Sequence, residues 1–294
     1  MKFAWIRNHA AFFTVQRMCQ LLKVSRSGYY AWQGRASSSR RLRHQTLAMQ
    51  VRHAHTQSRG TYGSPRVAVE LQAQGVSVCV NTVAKLMREE GLKARKKRRF
   101  VPRTSDSSHP HPIAPNHLDR RFDAGGGDQA AAPAPNRVWA SDLTYLWTEE
   151  GWLYLWVVMD LFSRKVVGWA MTEHMRAQGA IDALKMALRQ RRPPEKLLHH
   201  SDRGCQYACQ DYRKLLDNNG MTASMSRAGN CYDNAVVESF FSTLKTECVD
   251  QRRYPNAEEA RSSLFEWIEA FYNRQRRHSS LNYLSPEAFE AQIM

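Results

Sequence analysis

Three strand-like segments separated by short turns constrain the fold of this chain most strongly. The first is VWASDLTYLW, which begins at Val138 and ends before a turn at Glu149-Glu150-Gly151. The run from Trp152 to Met159 is almost wholly apolar, which is typical of a central strand. The third segment, VVGWAM, follows a turn at Ser163 to Lys165. Such short connections predict an antiparallel meander.

Helices and shorter strands alternate after this meander. A helix is predicted from about Ala177 to Arg189, and Pro193-Pro194 ends it. Leu197 to His200 reads as a short strand added parallel to the sheet after a crossover helix. A helix containing Tyr212 and a strand near Met221 to Met225 complete the series. The order βββαβαβα predicts an α/β fold, a ribonuclease H-like mixed sheet with helices.

The N-terminal region has the pattern of a helix–turn–helix. Residues 12–34 predict two helices, of which the first places Met18, Leu21 and Leu22 on one face. Ser25 is predicted to cap the second helix. Helix–turn–helix units bind DNA by placing the second helix in the major groove.

A second unit of the same kind follows. Pro65 is expected to start a helix that Gly75 ends, and Asn81 to cap a further helix that ends at Gly91. The region that precedes the predicted sheet is therefore expected to be all-α and DNA-binding.

Charge is distributed very unevenly along the chain. The formal net charge is +16, and residues 1–137 contain 24 Lys and Arg against 7 Asp and Glu. Residues 138–294 contain 19 against 20. The excess indicates a polyanion-binding half joined to a near-neutral half. A basic run suited to DNA phosphates follows the second helix–turn–helix and consists of Lys93, Arg95, Lys96, Lys97, Arg98 and Arg99.

Composition places the boundaries between regions. Residues 104–136 are rich in Ser, Pro, His, Gly and Ala, which predicts a mobile linker. We therefore expect an N-terminal helical region at 1–55, a second helix–turn–helix with the basic segment at 56–103, a linker at 104–136, and the ribonuclease H-like domain with a C-terminal helical tail at 137–294.

Other patterns limit where the protein can act. No run of eighteen apolar residues predicts a membrane span, and the first residues do not resemble a secretory signal. The six cysteines have no zinc-binding spacing. We expect a cytoplasmic, nucleoid-associated protein with reduced thiols and no membrane partner.

Three acidic residues occupy positions where catalysis could take place. Asp142 lies inside the first strand, and Asp202 lies just past the fourth. If these two strands are neighbours, both carboxylates can face one metal site. Glu238 lies in AVVESFFSTLKTE, a predicted helix with an apolar stripe formed by Val237, Phe240, Phe241 and Leu244. Packing of that stripe on the sheet could bring Glu238 to the aspartates.

The same segments carry a family resemblance. WASDLTY, DLFSRKVVGW, HHSDRGCQY and SRAGNCYDNAVVESFFSTLKTE resemble the core of insertion-sequence transposases related to retroviral integrases. More narrowly, they are similar to the second-frame protein (OrfB) of the "insertion sequence three" family, as is the tail YNRQRRHSSLNYLSPEAF. The 35 residues between Asp202 and Glu238 match that family's DDE spacing.

The resemblance implies an activity, an ion and partners. It implies metal-dependent DNA strand cleavage and strand transfer, with Asp142, Asp202 and Glu238 holding Mg²⁺, for which Mn²⁺ could substitute. Expected partners are double-stranded DNA at the element ends and the target, and further copies of the chain on that DNA. An upstream-frame protein is another candidate partner, because in this family an upstream frame usually supplies extra DNA-binding and dimerising helices.

Lys245 is expected to contact the DNA end. It follows Glu238 by seven residues, so it lies on the same helix face about 10 Å further along the axis. The alternative is a lysine simply solvated on the helix surface. A basic residue at this offset meets DNA in the integrase-like family, and this resemblance favours the contact.

Several nearby polar residues are expected to have structural roles. Asp160 is predicted to cap a turn through Ser163 and Arg164. Asp233 and Asn234 are predicted to cap the Glu238 helix. His199 and His200 point to opposite faces of a strand, which favours packing for both.

Two other functions remain open from the sequence. One is a DNA-binding regulator in which the C-terminal half acts as a sensor. The other is a ribonuclease H-like nuclease that acts on RNA or branched DNA. The acidic triad argues against the first, and the basic half favours a DNA end over the substrates of the second.

Overall fold

The computed structural model describes residues 1–36, 38–95, 109–119, 132–227 and 234–293. The chain divides into two compact units, Met1–His53 and Ala54–Met294. Among the described residues, no helix combines the length and apolar character needed to cross a membrane.

The first unit is a small helical body. Its helices are α1 (Lys2–His9), α2 (Val15–Leu21), α3 (Arg26–Gln33) and the greater part of α4 (Ser39–Gln57). Its core contains Ile6, Met18, Cys19 and Tyr29. Ser25 caps α3 as predicted, since its Oγ accepts a hydrogen bond from the Gly28 backbone N–H at 3.1 Å. The prediction that Leu21 faces the core is wrong. The buried face of α2 is centred between Met18 and Cys19, and Leu21 lies about 110° around the helix axis from it.

A second helix pair opens the larger unit. It consists of α5 (Ser64–Ala73) and α6 (Val80–Glu89). Pro65 lies in the first turn of α5, and Gly75 follows that helix with a positive φ of 81°, as predicted. The prediction that Asn81 caps α6 is wrong. The helix starts at Val80 with Cys79 at the N-cap, so Asn81 already lies inside it.

Contacts with the C-terminal part of the chain hold this helix pair, and the segment just before it, in the same compact unit as the sheet. Arg59 forms an ion pair with Glu266. The Arg277 guanidinium donates to Glu70 Oε2 at 2.6 Å, and the Arg277 backbone N–H donates to the Tyr62 hydroxyl at 2.7 Å. These contacts span more than 200 residues of sequence, so the pair and the tail stabilise each other.

A five-stranded mixed sheet forms the centre of the larger unit. Its strands are β1 (Val138–Thr148), β2 (Gly151–Asp160), β3 (Val166–Thr172), β4 (Leu198–Ser201) and β5 (Thr222–Met225). Their spatial order is β3-β2-β1-β4-β5. The first three strands are antiparallel, β4 runs parallel to β1, and β5 runs parallel to β4. The predicted ribonuclease H-like mixed sheet is confirmed.

Helices cover the sheet closely. They are α7 (Ala177–Arg191), α8 (Cys205–Ala208) and α9 (Gln210–Asp217). Two glycines allow α7 to approach the strands. A Cβ on Gly179 would lie 2.1 Å from Trp156 Nε1, and a Cβ on Gly168 would lie 2.2 Å from the Ala183 carbonyl oxygen. No larger side chain fits at either position without displacing its neighbours.

The C-terminal part is helical. It comprises α10 (Ala235–Glu247), α11 (Ala257–Phe265), a π-helical continuation (Glu266–Tyr272) and α12 (Pro286–Glu290). The predicted apolar stripe of α10 is confirmed, because Val237, Phe240, Phe241 and Leu244 are all buried.

Part of the predicted linker lies along the edge of the sheet. The His117 backbone N–H donates to Ser224 Oγ at 3.0 Å, and the Met225 backbone N–H donates to the Pro115 carbonyl at 3.4 Å. Leu118 is fully buried. The expectation of a mobile linker is therefore wrong for 109–119, where a buried leucine and hydrogen bonds to β5 fix the segment.

Candidate active site

Two aspartates emerge side by side where β1 and β4 stop pairing. Ser141 of β1 lies opposite Ser201 of β4, which is the last pair of this parallel ladder. Asp142 and Asp202 are the next residues along the two strands. The sequence prediction that the first and fourth strands are neighbours is confirmed, and the two carboxyl groups share one edge of the sheet.

Backbone donors orient both carboxylates. Asp142 Oδ1 accepts a hydrogen bond from the Leu143 N–H at 2.8 Å, and Asp202 Oδ1 accepts one from the Gly204 N–H at 2.9 Å. A Cβ on Gly204 would lie only 3.0 Å from Asp202 Oδ1. The glycine therefore lets the turn after β4 close tightly on this carboxylate.

The electrostatics of this edge disfavour two adjacent negative charges. Removal from water raises the pKa of Asp142 well above its usual range, and the charges of Asp202 and Glu238 raise it further. The Leu143 N–H and Lys245 act in the opposite direction. Burial, with help from the same two aspartates, also raises the pKa of the Tyr207 hydroxyl. A cation placed here would relieve the repulsion.

Glu238 approaches this edge from α10. It is exposed to solvent in the first turn of the helix, and α10 packs against β1. Its charge acts on Asp142. In the described ranges, which omit residues 228–233 just before α10, no group of three His, Cys, Asp or Glu side chains is placed to hold a metal ion. The three acids therefore share one electrostatic field without forming a closed set of ligands.

Lys245 lies against the same strand. Its ammonium group is 5.3 Å from the centroid of the Tyr145 ring, which is three residues beyond Asp142 on β1. Partial burial lowers the pKa of Lys245, while Asp250 and Asp142 oppose the shift. Lys245 is therefore half-buried against Tyr145, and its contact with DNA stays a prediction.

Two buried histidines support the paired strands. His199 Nε2 lies 2.8 Å from Ser141 Oγ and 3.0 Å from the Tyr212 hydroxyl. His200 Nδ1 lies 2.9 Å from Ser224 Oγ, on the opposite face. Burial lowers the pKa of His199 to about 3, and His200 adds to the shift. The predicted packing role is confirmed for both.

The entry to α10 differs from the prediction. Asn234 occupies the N-cap position, but its side chain makes no capping hydrogen bond. Its Nδ2 instead donates to the Ser141 carbonyl at 3.5 Å, a weak bond. The side-chain cap predicted for Asn234 is therefore wrong, and Asp233 lies outside the described residues.

Asp160 is structural, but its partners are not those predicted. It is fully buried, and its carboxylate accepts hydrogen bonds from the Asn136 N–H at 2.6 Å and the Phe162 N–H at 2.9 Å. The predicted cap through Ser163 and Arg164 is wrong, because the carboxylate turns inward to two backbone donors nearer to it.

A buried ionic cluster, which sequence reasoning missed, surrounds Asp160. Arg191 donates two hydrogen bonds to Glu290 of α12, at 2.8 and 2.7 Å, and also lies 3.9 Å from Asp160. Burial raises the pKa of Asp160 to about 6; Glu290 adds to this shift, whereas Arg191 and the Asn136 N–H oppose it. Because Asp160 and Glu290 are 130 positions apart, no local pattern links them.

A second buried ion pair joins α10 to the tail. Arg276 donates to both carboxylate oxygens of Glu247, at 2.7 and 2.8 Å, and both side chains are nearly inaccessible to water.

Arg95, from the predicted basic run, also contacts the end of α10, since its guanidinium donates to the Glu247 carbonyl at 3.1 Å. Lys93 of the predicted basic run is exposed, whereas Lys96, Lys97, Arg98 and Arg99 lie outside the described residues.

Comparison with known protein families identifies two kinds of domain. Two models described as "Integrase core domain" match residues 132–231 and 219–286. A model described as "HTH-like domain" matches residues 43–100.

Curated relatives match almost the whole chain. Transposase InsF for insertion sequence IS3A of Escherichia coli (strain K12) is 46% identical over 292 residues, which cover 99% of this chain and 98% of that protein. The insertion element IS600 uncharacterized 31 kDa protein of Shigella sonnei is 46% identical over 272 residues, covering 92% and 97%.

A solved structure is similar at a greater distance. The catalytic core domain of HTLV-2 integrase, solved in complex with magnesium, is 17% identical with a TM-score of 0.42, and the match covers 53% of this chain and 97% of that one. The curated relatives favour a transposase over a regulator or a nuclease. The chain belongs to the IS3 family of insertion-sequence transposases, which are polynucleotidyl transferases with an integrase core.

Proposed function

We propose that Asp142, Asp202 and Glu238 form the centre at which this transposase cleaves and joins DNA strands. The adjacency of Asp142 and Asp202 where β1 and β4 stop pairing is the observation that carries this proposal. Glu238 is assigned to the same centre because α10 packs against β1 and the charge of Glu238 raises the pKa of Asp142. Without a cation, the negative charges of the three acids repel one another. A bound cation favours the ionised form of all three.

The donor atoms suit a divalent ion that prefers oxygen. Mg²⁺ fits such a carboxylate set, and Mn²⁺ is the natural substitute. When bound, the ions supply charge that activates an attacking oxygen and stabilises a leaving oxygen at phosphorus. The attacking group is water in cleavage and a DNA 3′-hydroxyl in strand transfer.

The protein's own groups orient the reacting acids. The N–H groups of Leu143 and Gly204 fix one oxygen of each aspartate. Tyr207, buried beside both aspartates, keeps its hydroxyl protonated because its pKa is raised. It therefore acts as a neutral group in the site and not as a nucleophile.

Lys245 supplies positive charge next to this centre. Its ammonium group lies 5.3 Å from the centroid of the Tyr145 ring, and the charge of Asp142 acts on it. We assign it to a phosphate of the element end, for which an ammonium is a suitable point charge. Arg95 and the run Lys96, Lys97, Arg98 and Arg99 are assigned to backbone phosphates further along the DNA.

The partners proposed are double-stranded DNA at the element ends and the target, further copies of the chain on that DNA, and an upstream-frame protein. Met1–His53 supports the DNA assignment, because it contains ten Lys and Arg and no Asp or Glu. The place of action proposed is the nucleoid in the cytoplasm.

The test is strand cleavage of end-containing DNA in Mg²⁺. Asp142→Asn, Asp202→Asn and Glu238→Gln each keep side-chain shape but lose the charge that holds the ion, so each is expected to abolish cleavage while DNA binding persists. Asp217→Asn, a substitution at an exposed acid on α9, is the matched control and should cleave normally. Near-normal cleavage by any one of the three variants would remove that residue from the centre.

A further inference from the structure

The side chain of Asn234 is buried beside the candidate centre with one polar atom unsatisfied. It is 5% exposed, and within the described part of the chain its Oδ1 has no hydrogen-bond partner. A buried acceptor without a donor is unfavourable, because it has lost its hydrogen bonds to water without replacing them. Such an atom is uncommon in a folded protein and calls for a physical explanation.

The orientation of this amide is fixed by its neighbour. The Ser141 carbonyl is an acceptor, so the group of Asn234 that faces it at 3.5 Å must be the Nδ2 donor. Exchanging the two ends of the amide would place two acceptors against each other. Nor is Oδ1 used at the helix end, where an N-cap asparagine normally accepts a backbone N–H of the first turn.

The position of Asn234 connects two of the proposed metal-binding acids. Its amide reaches Ser141, the residue before Asp142 and the last in β1 to pair with β4. Glu238 follows Asn234 by four residues, about one turn along α10. The unsatisfied oxygen thus belongs to the side chain that joins the Asp142 strand to the Glu238 helix.

The chemistry of the site restricts what can satisfy this oxygen. A carbonyl oxygen attracts cations and O–H or N–H donors, and it repels the non-bridging oxygens of a DNA phosphate. Hydrated Mg²⁺ usually keeps several of its waters, and these waters are strong donors. Groups that hydrogen-bond to the ligands of a metal contribute measurably to its affinity.

We propose that Asn234 Oδ1 accepts a hydrogen bond from a water molecule of the divalent ion that Asp142 and Glu238 bind. This inference rests on the proposed function, because it takes the metal site from there. Asn234 is then a positioning residue for the hydrated ion. The unfavourable burial of its oxygen in the metal-free protein is offset when the ion arrives.

The experiment measures Mn²⁺ binding to the full chain without DNA, from the loss of the electron paramagnetic resonance signal of free Mn²⁺. Asn234→Leu has a similar volume and no polar atom, so its Mn²⁺ affinity should fall about tenfold. Its melting temperature without metal should not fall, because the unsatisfied oxygen is gone.

Asn256→Leu is the matched control. Asn256 caps α11, and its Oδ1 already accepts the Glu259 N–H at 2.8 Å. This variant should melt at a lower temperature and bind Mn²⁺ normally. Unchanged Mn²⁺ affinity in Asn234→Leu would overturn the inference.

Asp142→Asn in the same assay separates this inference from the proposed function. If Asp142→Asn binds Mn²⁺ normally, the metal site itself is misassigned. If Asp142→Asn loses Mn²⁺ while Asn234→Leu keeps it, only the role of Asn234 is wrong.

Discussion

Replacing Asp160 by Asn should change the pH dependence of stability in a definite direction. The carboxyl group is fully buried between β2, α7 and α12, where Arg191 and Glu290 face it. Burial raises its pKa from the ordinary 3.8 to about 6. The folded protein therefore binds this proton more tightly than the unfolded chain does.

The magnitude follows from linkage. A difference of about two pKa units corresponds to about 3 kcal/mol. Because the folded pKa is the higher one, the folded state binds more protons than the unfolded state between about pH 4 and pH 6. The contribution of Asp160 to stability is then largest below pH 4, and it is lost as the pH rises through about 6.

Urea unfolding of the parent protein and of Asp160→Asn, from pH 4 to pH 7.5, isolates this contribution. The stability of the parent relative to the variant should fall by about 2.5 kcal/mol across that range, because at pH 4 the unfolded chain is already partly protonated. Asp217→Asn, at an exposed acid, should show no such trend. A parent-to-variant difference that stays constant, or that grows with pH, would refute the assignment of a raised pKa.

Three further predictions concern packing, the tail and DNA. Gly179→Ala places a methyl group against Trp156 and should lower the unfolding free energy by about 1–3 kcal/mol in thermal denaturation; an unchanged melting temperature would contradict the close approach of α7. Arg276→Met leaves Glu247 buried and unpaired, so it should cost about 3–5 kcal/mol, part of which a second Glu247→Met substitution recovers; equal stability of parent and single variant would rule out the buried pair. Lys245→Ala should weaken binding of end DNA, and Lys245→Glu should weaken it more by adding repulsion beside the phosphate; gel-shift titrations in which parent and Lys245→Glu bind equally would exclude the contact.

The sheet and the packing of α10 could be predicted because their signals are local. The apolar run of β2 and the stripe of Val237, Phe240, Phe241 and Leu244 are readable within ten residues of sequence. Burial against neighbouring elements produces such periodicity directly. The positions of Asp142 and Asp202 follow from the same strands, once β1 and β4 are neighbours.

The buried polar contacts could not be predicted, because their partners are distant in sequence. The Asp160 carboxylate accepts a hydrogen bond from the Asn136 N–H, and its charged neighbour Glu290 lies near the C-terminus. The N-cap predicted for Asn234 failed for a related reason. Its amide is taken by Ser141, 93 residues earlier, and no pattern around α10 reveals that carbonyl.

Ligand replacement at Asp202 tests the central claim most directly, namely that these carboxylates hold the ion used in DNA cleavage. Asp202→Cys substitutes a thiolate, which binds Mg²⁺ poorly but accepts softer ions such as Mn²⁺ far better. The account predicts that Asp202→Cys does not cleave end DNA in Mg²⁺ and regains cleavage in Mn²⁺, while the parent protein works in both. Equal cleavage by Asp202→Cys in the two ions would contradict the claim.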